Sequence, residues 1–223
     1  MTAADGVLAG IEVLHADDAL LVLNKPAGLL SVPGRGADKQ DVLSSRVQAL
    51  YPDALVVHRL DMATSGLMLM ARGIEAQRTL SIAFAGREVD KRYEAVVHGR
   101  WSLEPGEADG WGLIDLPIRL DWPRRPISIV DPLAGKPSQT RWRVLGYDPA
   151  TNSTRLALAP LTGRSHQLRL HLAAQGHPIL GDALYAPPDV QARAPRLLLH
   201  ACELQITHPT RGERMHFACP TPF

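Results

Sequence analysis

Two cysteines in 223 residues, Cys202 and Cys219, with neither a Cys-x-x-Cys pair nor Cys/His spacing of metal-ligand type, exclude a disulfide scaffold and a zinc module. Both read as small buried hydrophobes of a reducing compartment. No apolar stretch exceeds about five residues, as at 19–23 and 67–71, far short of the roughly 20 that a helix needs to cross a bilayer. No membrane partner is expected. The first 24 residues hold no Lys or Arg and four acids (Asp5, Glu12, Asp17, Asp18), the reverse of a secretory signal's basic start. The chain is therefore expected in the cytoplasm. Also missing are Gly-x-Ser-x-Gly, His-Glu-x-x-His, Gly-x-Gly-x-x-Gly after a strand and a P-loop, so serine hydrolases, zincins, dinucleotide enzymes and P-loop NTPases lose their usual signatures. No metal site is expected.

What the chain does carry is core material and an uneven charge. At 45% hydrophobic and 21% charged residues, wholesale disorder, collagen-like and low-complexity classes are excluded. The net charge is only +1, but for a polyanionic partner its distribution matters more than its sum. Between Arg119 and His171 nine basic residues stand against three acids, a local +6 that leaves −5 for the remainder. Arginine outnumbers lysine 20 to 4, and the planar guanidinium suits bidentate phosphate contacts and stacking on bases. A GC-rich gene with a solvated arginine face gives the same bias.

Apolar alternation at 11–13 and 21–23 predicts an opening β-hairpin. Residues 24–36 concentrate Gly and Pro in a shaped surface loop. Asp41 is placed to cap a short helix that ends at Pro52. A buried strand at 67–71, a helix at 74–84 and a strand at 91–97 follow. The Gly- and Pro-rich stretch 101–137 predicts a long irregular arm bearing much of the positive charge. Beyond it come strands at 138–146 and 154–160, then a helix at 164–175 capped by Thr162 or Ser165 and closed by Gly176 and Pro178, and last strands at 197–206 and 214–218. Strands linked by hairpins with few helices between them predict an α+β fold with a mixed, largely antiparallel sheet flanked by helices and loops.

Two polar clusters carry candidate chemistry. His58-Arg59-Leu60-Asp61 lies directly before Thr64-Ser65-Gly66 and a buried strand. A carboxylate in such a loop beside a basic residue can stay ionised and serve as nucleophile or base; an Asp among Ser, Thr and Gly also serves commonly as a turn or cap. The second cluster runs from Thr162 to His171. On a helix Arg164 stands over Leu168 and His166 over Arg169, a donor-rich end suited to an anion. An amphipathic helix with a solvated basic face is the plain alternative.

At these residues the sequence resembles the RluA family of pseudouridine synthases. Residues 58–66 match the family signature, Val22-Leu23-Asn24-Lys25-Pro26-Ala27-Gly28-Leu29 its first motif, Lys91-Arg92-Tyr93-Glu94-Ala95 its tyrosine strand, and Leu161-Thr162-Gly163-Arg164-Ser165-His166-Gln167-Leu168-Arg169 its basic motif. Arg196-Leu197-Leu198-Leu199-His200-Ala201 fits the tail, so the likeness runs in order over most of the chain. The resemblance implies one catalytic domain over 1–223, without the separate N-terminal RNA-binding domain of many relatives. The implied reaction breaks the uridine N-glycosidic bond, turns the uracil within the pocket and joins C5 to the ribose C1′, with no cofactor. Asp61 takes the place of the essential aspartate, which attacks C1′ or removes the 2′ proton; Tyr93 that of the tyrosine stacked on the target base; Arg164 that of the basic residue paired to the aspartate. Arg59 matches the side chain that fills the space left by the flipped nucleotide. Around the substrate, His58 is expected to brace the loop by hydrogen bonds, and Thr64, Arg124, Arg125 and Arg169 to contact RNA. Asp121-Trp122-Pro123-Arg124-Arg125-Pro126 and Gly34-Arg35 resemble members of dual specificity, which implies 23S ribosomal RNA and tRNA anticodon stem-loops as partners of a monomer. Two rivals remain: an RNA-binding module with no poised carboxylate, and a hydrolytic nucleoside or glycoside enzyme, which would want a second acid.

Overall fold

The apolar runs of the sequence become the buried strands of the fold, which the computed structural model describes over residues 6–8, 10–34, 36, 39–104, 106 and 109–223. In chain order the elements are β1 (Gly6–Leu8), β2 (Ile11–Ala16), β3 (Leu20–Lys25), α1 (Leu43–Gln48), β4 (Ala54–Val56), β5 (Ser65–Arg72), α2 (Ile74–Gly86), β6 (Asp90–His98) and β7 (Gly112–Asp115). They continue with β8 (Ile118–Leu120), β9 (Ser128–Val130), β10 (Gln139–Asp148), β11 (Ser153–Pro160), α3 (Gln167–Ala174), α4 (Pro188–Gln191), β12 (Leu199–Thr207) and β13 (Arg214–Ala218). Two compact units result, one from residues up to Lys91 with His200–Pro222, the other from Arg92–Leu199 with Phe223. Among the described residues no helix is long and apolar enough to cross a membrane.

In the first unit β5 is the central strand. Its first seven residues are buried, which explains why the sequence there is continuously apolar rather than alternating. β3 pairs with it antiparallel along one edge, β4 antiparallel along the other, and β12 joins in parallel through His200↔Ser65 and Ala201↔Gly66. Gly66 is required at that crossing. It has φ +108°, and a Cβ there would lie 2.2 Å from the Ala201 carbonyl oxygen, so only glycine lets the two backbones meet. The opening hairpin is β2–β3 as expected, with β1 added before it. Asp41 does not cap α1: its carboxylate is held by Arg46 at 2.7 Å and the cap position is Val42, with no side-chain cap.

The second unit is an antiparallel sheet in the order β6, β11, β10, β7. The stretch expected to be irregular holds β7 and the β8–β9 hairpin, because pairing of β7 with the edge of β10 satisfies its backbone despite the Gly and Pro content. Helix α3 starts at Gln167 rather than at residue 164. His166 sits in the left-handed region (φ 57°) and neither Thr162 nor Ser165 caps the helix. Its end is as expected, with Gly176 at φ +81°. The mixed, mainly antiparallel strand pairing, with four helices among the described residues, is the predicted α+β class.

Candidate active site

The turn that carries Asp61 joins β4 to β5, and its backbone is held at three points. Leu60 N–H donates to Ser31 Oγ at 3.1 Å, and the same hydroxyl donates to the Leu60 carbonyl at 2.7 Å. The Met62 carbonyl accepts Gly28 N–H at 2.8 Å and the Lys25 ammonium at 3.1 Å, and Thr64 N–H closes the turn on the Asp61 carbonyl at 3.1 Å. Lys25 is fully buried, and its ammonium also donates to the carbonyls of Pro26 (2.8 Å) and Leu29 (2.7 Å). Three protons thus meet three carbonyl oxygens. The turn sends Leu60 into the core, leaves Asp61 half-buried and turns Arg59 and Met62 outward. Arg59 makes no hydrogen bond or ion pair among the described residues. Thr64, expected to contact RNA, is instead buried in the turn.

His58 Nε2 accepts the Leu69 N–H at 2.9 Å, and its ring stacks on Phe84 with centroids 4.4 Å apart. Burial, with the Lys91 charge second, pushes the imidazole down to about 3. Because the folded value lies below the ordinary 6.5, the unfolded chain takes up the proton first as pH falls. The stabilising contribution is complete above about pH 6.5 and is lost towards pH 3. His171, hydrogen-bonded to Thr140 Oγ1 and the Leu116 carbonyl and lowered by burial, acts in the same direction. The melting temperature is therefore expected to fall between pH 7 and pH 5, and to fall less in His58→Gln; equal pH slopes for the two proteins would show that His58 is not the neutral brace.

Tyr93 lies half-buried on β6 opposite Leu158 of β11. Arg164 occupies the loop before α3, where Gln167 fixes the backbone: the Gln167 Oε1 accepts Thr162 Oγ1–H (2.7 Å) and Arg164 N–H (3.0 Å), while its Nε2 donates to the Gln139 carbonyl (2.9 Å) and Thr140 Oγ1 (3.0 Å). Thr162 is spent on this clamp, which is why it caps nothing. The Arg164 Nε lies 3.4 Å from the Pro137 carbonyl. Tyr185 ties the same loop to β9, since its Oη accepts Ser128 N–H and meets His166 Nδ1, both at 2.8 Å. The left-handed His166 is held in place by that contact.

Arg169, expected on RNA, is buried and bidentate on Asp182 at 2.8 and 2.5 Å. Its guanidinium also lies 5.3 Å from the Tyr185 ring centre, so its place is inside the fold. Arg124 and Arg125 are at the surface, Arg124 on the Asp121 carboxylate at 2.6 Å and Arg125 stacked over Trp122 at 4.5 Å. Ion pairs also engage Arg119 with Asp131, Arg141 with Asp109 and Arg155 with Glu94. Arg141, Arg155 and Arg169 are thus paired with acids outside residues 119–171, which weakens the field of that segment below its formal +6. Arg35 lies outside the described residues.

Only one metal-like group occurs among the described residues, formed by Asp17, Asp18 and His208. There the Asp17 carboxylate already accepts from His15 (2.8 Å), His208 (3.0 Å), Arg211 (3.0 Å) and the N–H groups of Ala19 and Leu20 (both 2.9 Å). Burial would raise its pKa, but these hydrogen bonds together hold it well below the usual carboxylate range. The group is an ion-pair knot that ties the β2–β3 turn to the turn after β12.

A sequence profile described as RNA pseudouridylate synthase matches residues 19–174, a span containing Asp61, Tyr93 and Arg164. The chain belongs to the RNA pseudouridylate synthase family. The dual-specificity RNA pseudouridine synthase RluA of Escherichia coli K12 is 51% identical over 211 residues, covering 95% of this chain and 93% of that protein. The protein of the same name from Pasteurella multocida is 46% identical over 213 residues, 96% of this chain and 94% of its own. Among solved structures, human RNA pseudouridylate synthase domain containing 1 is similar with a TM-score of 0.78 at 28% identity, over 98% of this chain and 86% of that one. Human RNA pseudouridylate synthase domain containing 4 gives 0.71 at 28% identity, over 94% and 88%. The fold is that of an RluA-family pseudouridine synthase, and the chain is an isomerase acting on RNA. The hydrolytic and non-catalytic rivals fall with that membership.

Sequence reasoning gave no role to Lys25, Ser31, Gln167 or Tyr185, although the first three lie in or beside the matched motifs.

Proposed function

We propose that this enzyme converts loop uridines to pseudouridine in both 23S ribosomal RNA and tRNA anticodon stem-loops. The observation that carries the proposal is Asp61, a half-buried carboxylate on a turn whose main chain is fixed by Ser31, Gly28 and Lys25. The dual specificity rests on the name of the RluA relatives, about half identical to this chain, and on the segment Asp121 to Pro126. In the proposed reaction Asp61 acts at the ribose as nucleophile or base, Tyr93 stacks on the uracil, and Arg164 supplies the countercharge that keeps a desolvated carboxylate ionised. Arg59 enters the space of the flipped nucleotide, and Arg124 and Arg125 meet phosphates. The N1–C1′ bond breaks, C5–C1′ forms, the C5 proton leaves and N1 gains one, so every atom balances within one nucleotide and no co-reactant is called for. The two units serve this reaction as one catalytic domain over 1–223, acting as a monomer in the cytoplasm.

Mapping pseudouridines by carbodiimide labelling in RNA from a deletion strain and from the same strain carrying this gene tests the proposal. Restored sites in both RNA classes support it, and sites in one class alone overturn the dual specificity. A second expectation concerns substrate form. A loop uridine has already lost part of its stacking, which lowers the cost of flipping by about 1 to 3 kcal/mol, or about 5- to 150-fold in rate where flipping precedes slow chemistry. Single-turnover assays at saturating enzyme and matched salt should show that gap between a loop uridine and the same uridine in a continuous duplex; equal rates would refute the flipping account.

A further inference from the structure

We propose that Trp122, at the tip of the β8–β9 hairpin, is a stacking platform for an unpaired base of the substrate RNA other than the reacting uridine. The inference rests on the RNA-modifying reading above and adds a subsite to it. Trp122 is 63% exposed, whereas Trp101, Trp111 and Trp142 are at 7%, 6% and 2%. A large indole left in water needs an explanation, because Trp is ordinarily among the more buried side chains.

The tip is rigid rather than frayed. Asp121 N–H donates to the Ile127 carbonyl (2.9 Å), Arg124 N–H to the Asp121 carbonyl (3.1 Å) and Ile127 N–H to the Arg124 carbonyl (3.0 Å), so the connection is closed by its own backbone. The Asp121 carboxylate takes Arg124 Nε at 2.6 Å, and the root of β9 is fixed by Ser128 on Tyr185. The indole itself is backed by Arg125, whose guanidinium lies over the ring at 4.5 Å while its Nε donates to the Trp122 carbonyl at 3.2 Å. A ring held from behind by a cation and exposed in front presents a flat apolar surface at little ordering cost. Such a surface stacks any base.

The surroundings favour a polyanion over an apolar protein partner. Arg125 on the hairpin and Lys136, whose backbone bridges to Ile118, are exposed, and Arg119 and Arg124 are exposed while paired with Asp131 and Asp121, so a bound strand would place its phosphates near guanidinium and ammonium groups while one base covers the indole. The tyrosine bridge places the platform on the element that Tyr185 joins to the Arg164 loop. Stacking at Trp122 would therefore help seat the RNA relative to a loop of the reaction site.

The buried state of the other three tryptophans makes the wild-type protein its own probe, because acrylamide reaches Trp122 almost alone. Titration with an anticodon stem-loop RNA should quench the intrinsic fluorescence and shield it from acrylamide. Trp122→Ala should raise the Kd for that RNA by about 5- to 150-fold, the range for losing one base–aromatic stack, and Trp122→Phe should recover most of it. Melting temperatures near wild type for both variants guard against loss of the fold. RNA that is retained on a filter and converted while Trp122 stays open to acrylamide, or an unchanged Kd in Trp122→Ala, would refute the platform and leave the enzymatic reading intact. Shielding of Trp122 with no conversion of any RNA by the wild type would do the opposite.

Discussion

Asp61→Asn is expected to abolish pseudouridine formation while RNA affinity stays close to wild type. The change keeps the size of the side chain and removes only the charge that must act as nucleophile or base. Loss of a general base alone costs about 10²- to 10⁴-fold, and loss of a nucleophile costs more. The turn should survive the substitution, because its anchors at Ser31, Gly28 and Lys25 hold the main chain at Leu60 and Met62 and not the carboxylate. Single-turnover rates on a stem-loop RNA, with filter binding in parallel, measure both quantities. Activity near wild type would remove Asp61 from the chemistry, and a matching fall in affinity would show that the turn had moved.

The difference between what the sequence disclosed and what it hid follows the range of the interactions. The β2–β3 hairpin, buried β5, helix α2 and the β10–β11 pair were legible because hydrophobic period and turn residues act within a few positions. Features decided by a distant partner were not. Thr162 looked like a helix cap, but Gln139 and Gln167 claim its hydroxyl; Arg169 looked like a surface cation until Asp182, on the chain segment after α3, neutralised it inside the fold. The Gly- and Pro-rich stretch around 101–137 looked irregular because nothing local announces its pairing with β10. Of the candidate site, the residue types in the loop at 58–61 were readable as a possible reactive carboxylate. Its rank above a common turn aspartate came from the joint match of four motifs, and the polar anchors beneath it came only from the structure.

Lys25→Met tests those anchors, and its largest effect is expected on stability. Methionine keeps the length and apolar stem of lysine, so packing changes little, but the carbonyls of Pro26, Leu29 and Met62 lose a charged donor. Each hydrogen bond to a charged group is worth about 1.5 to 3 kcal/mol. Part of that sum is returned because an ammonium no longer has to leave water. With the Leu29 bond fully buried and the other two partly so, a net loss of about 3 kcal/mol is the expected balance, which for a chain of this size lowers the melting temperature by roughly 6 to 12 °C. Activity should fall as well, measured well below the new midpoint, because the Met62 carbonyl beside Asp61 keeps only the Gly28 N–H as a donor among the described residues. An unchanged melting temperature would mean that the cost of burying the ammonium cancels its hydrogen bonds. A lowered midpoint with a normal single-turnover rate would assign the Asp61 turn to the reciprocal Ser31–Leu60 pair and the Gly28 N–H, leaving Lys25 as a support for the loop of residues 26–29.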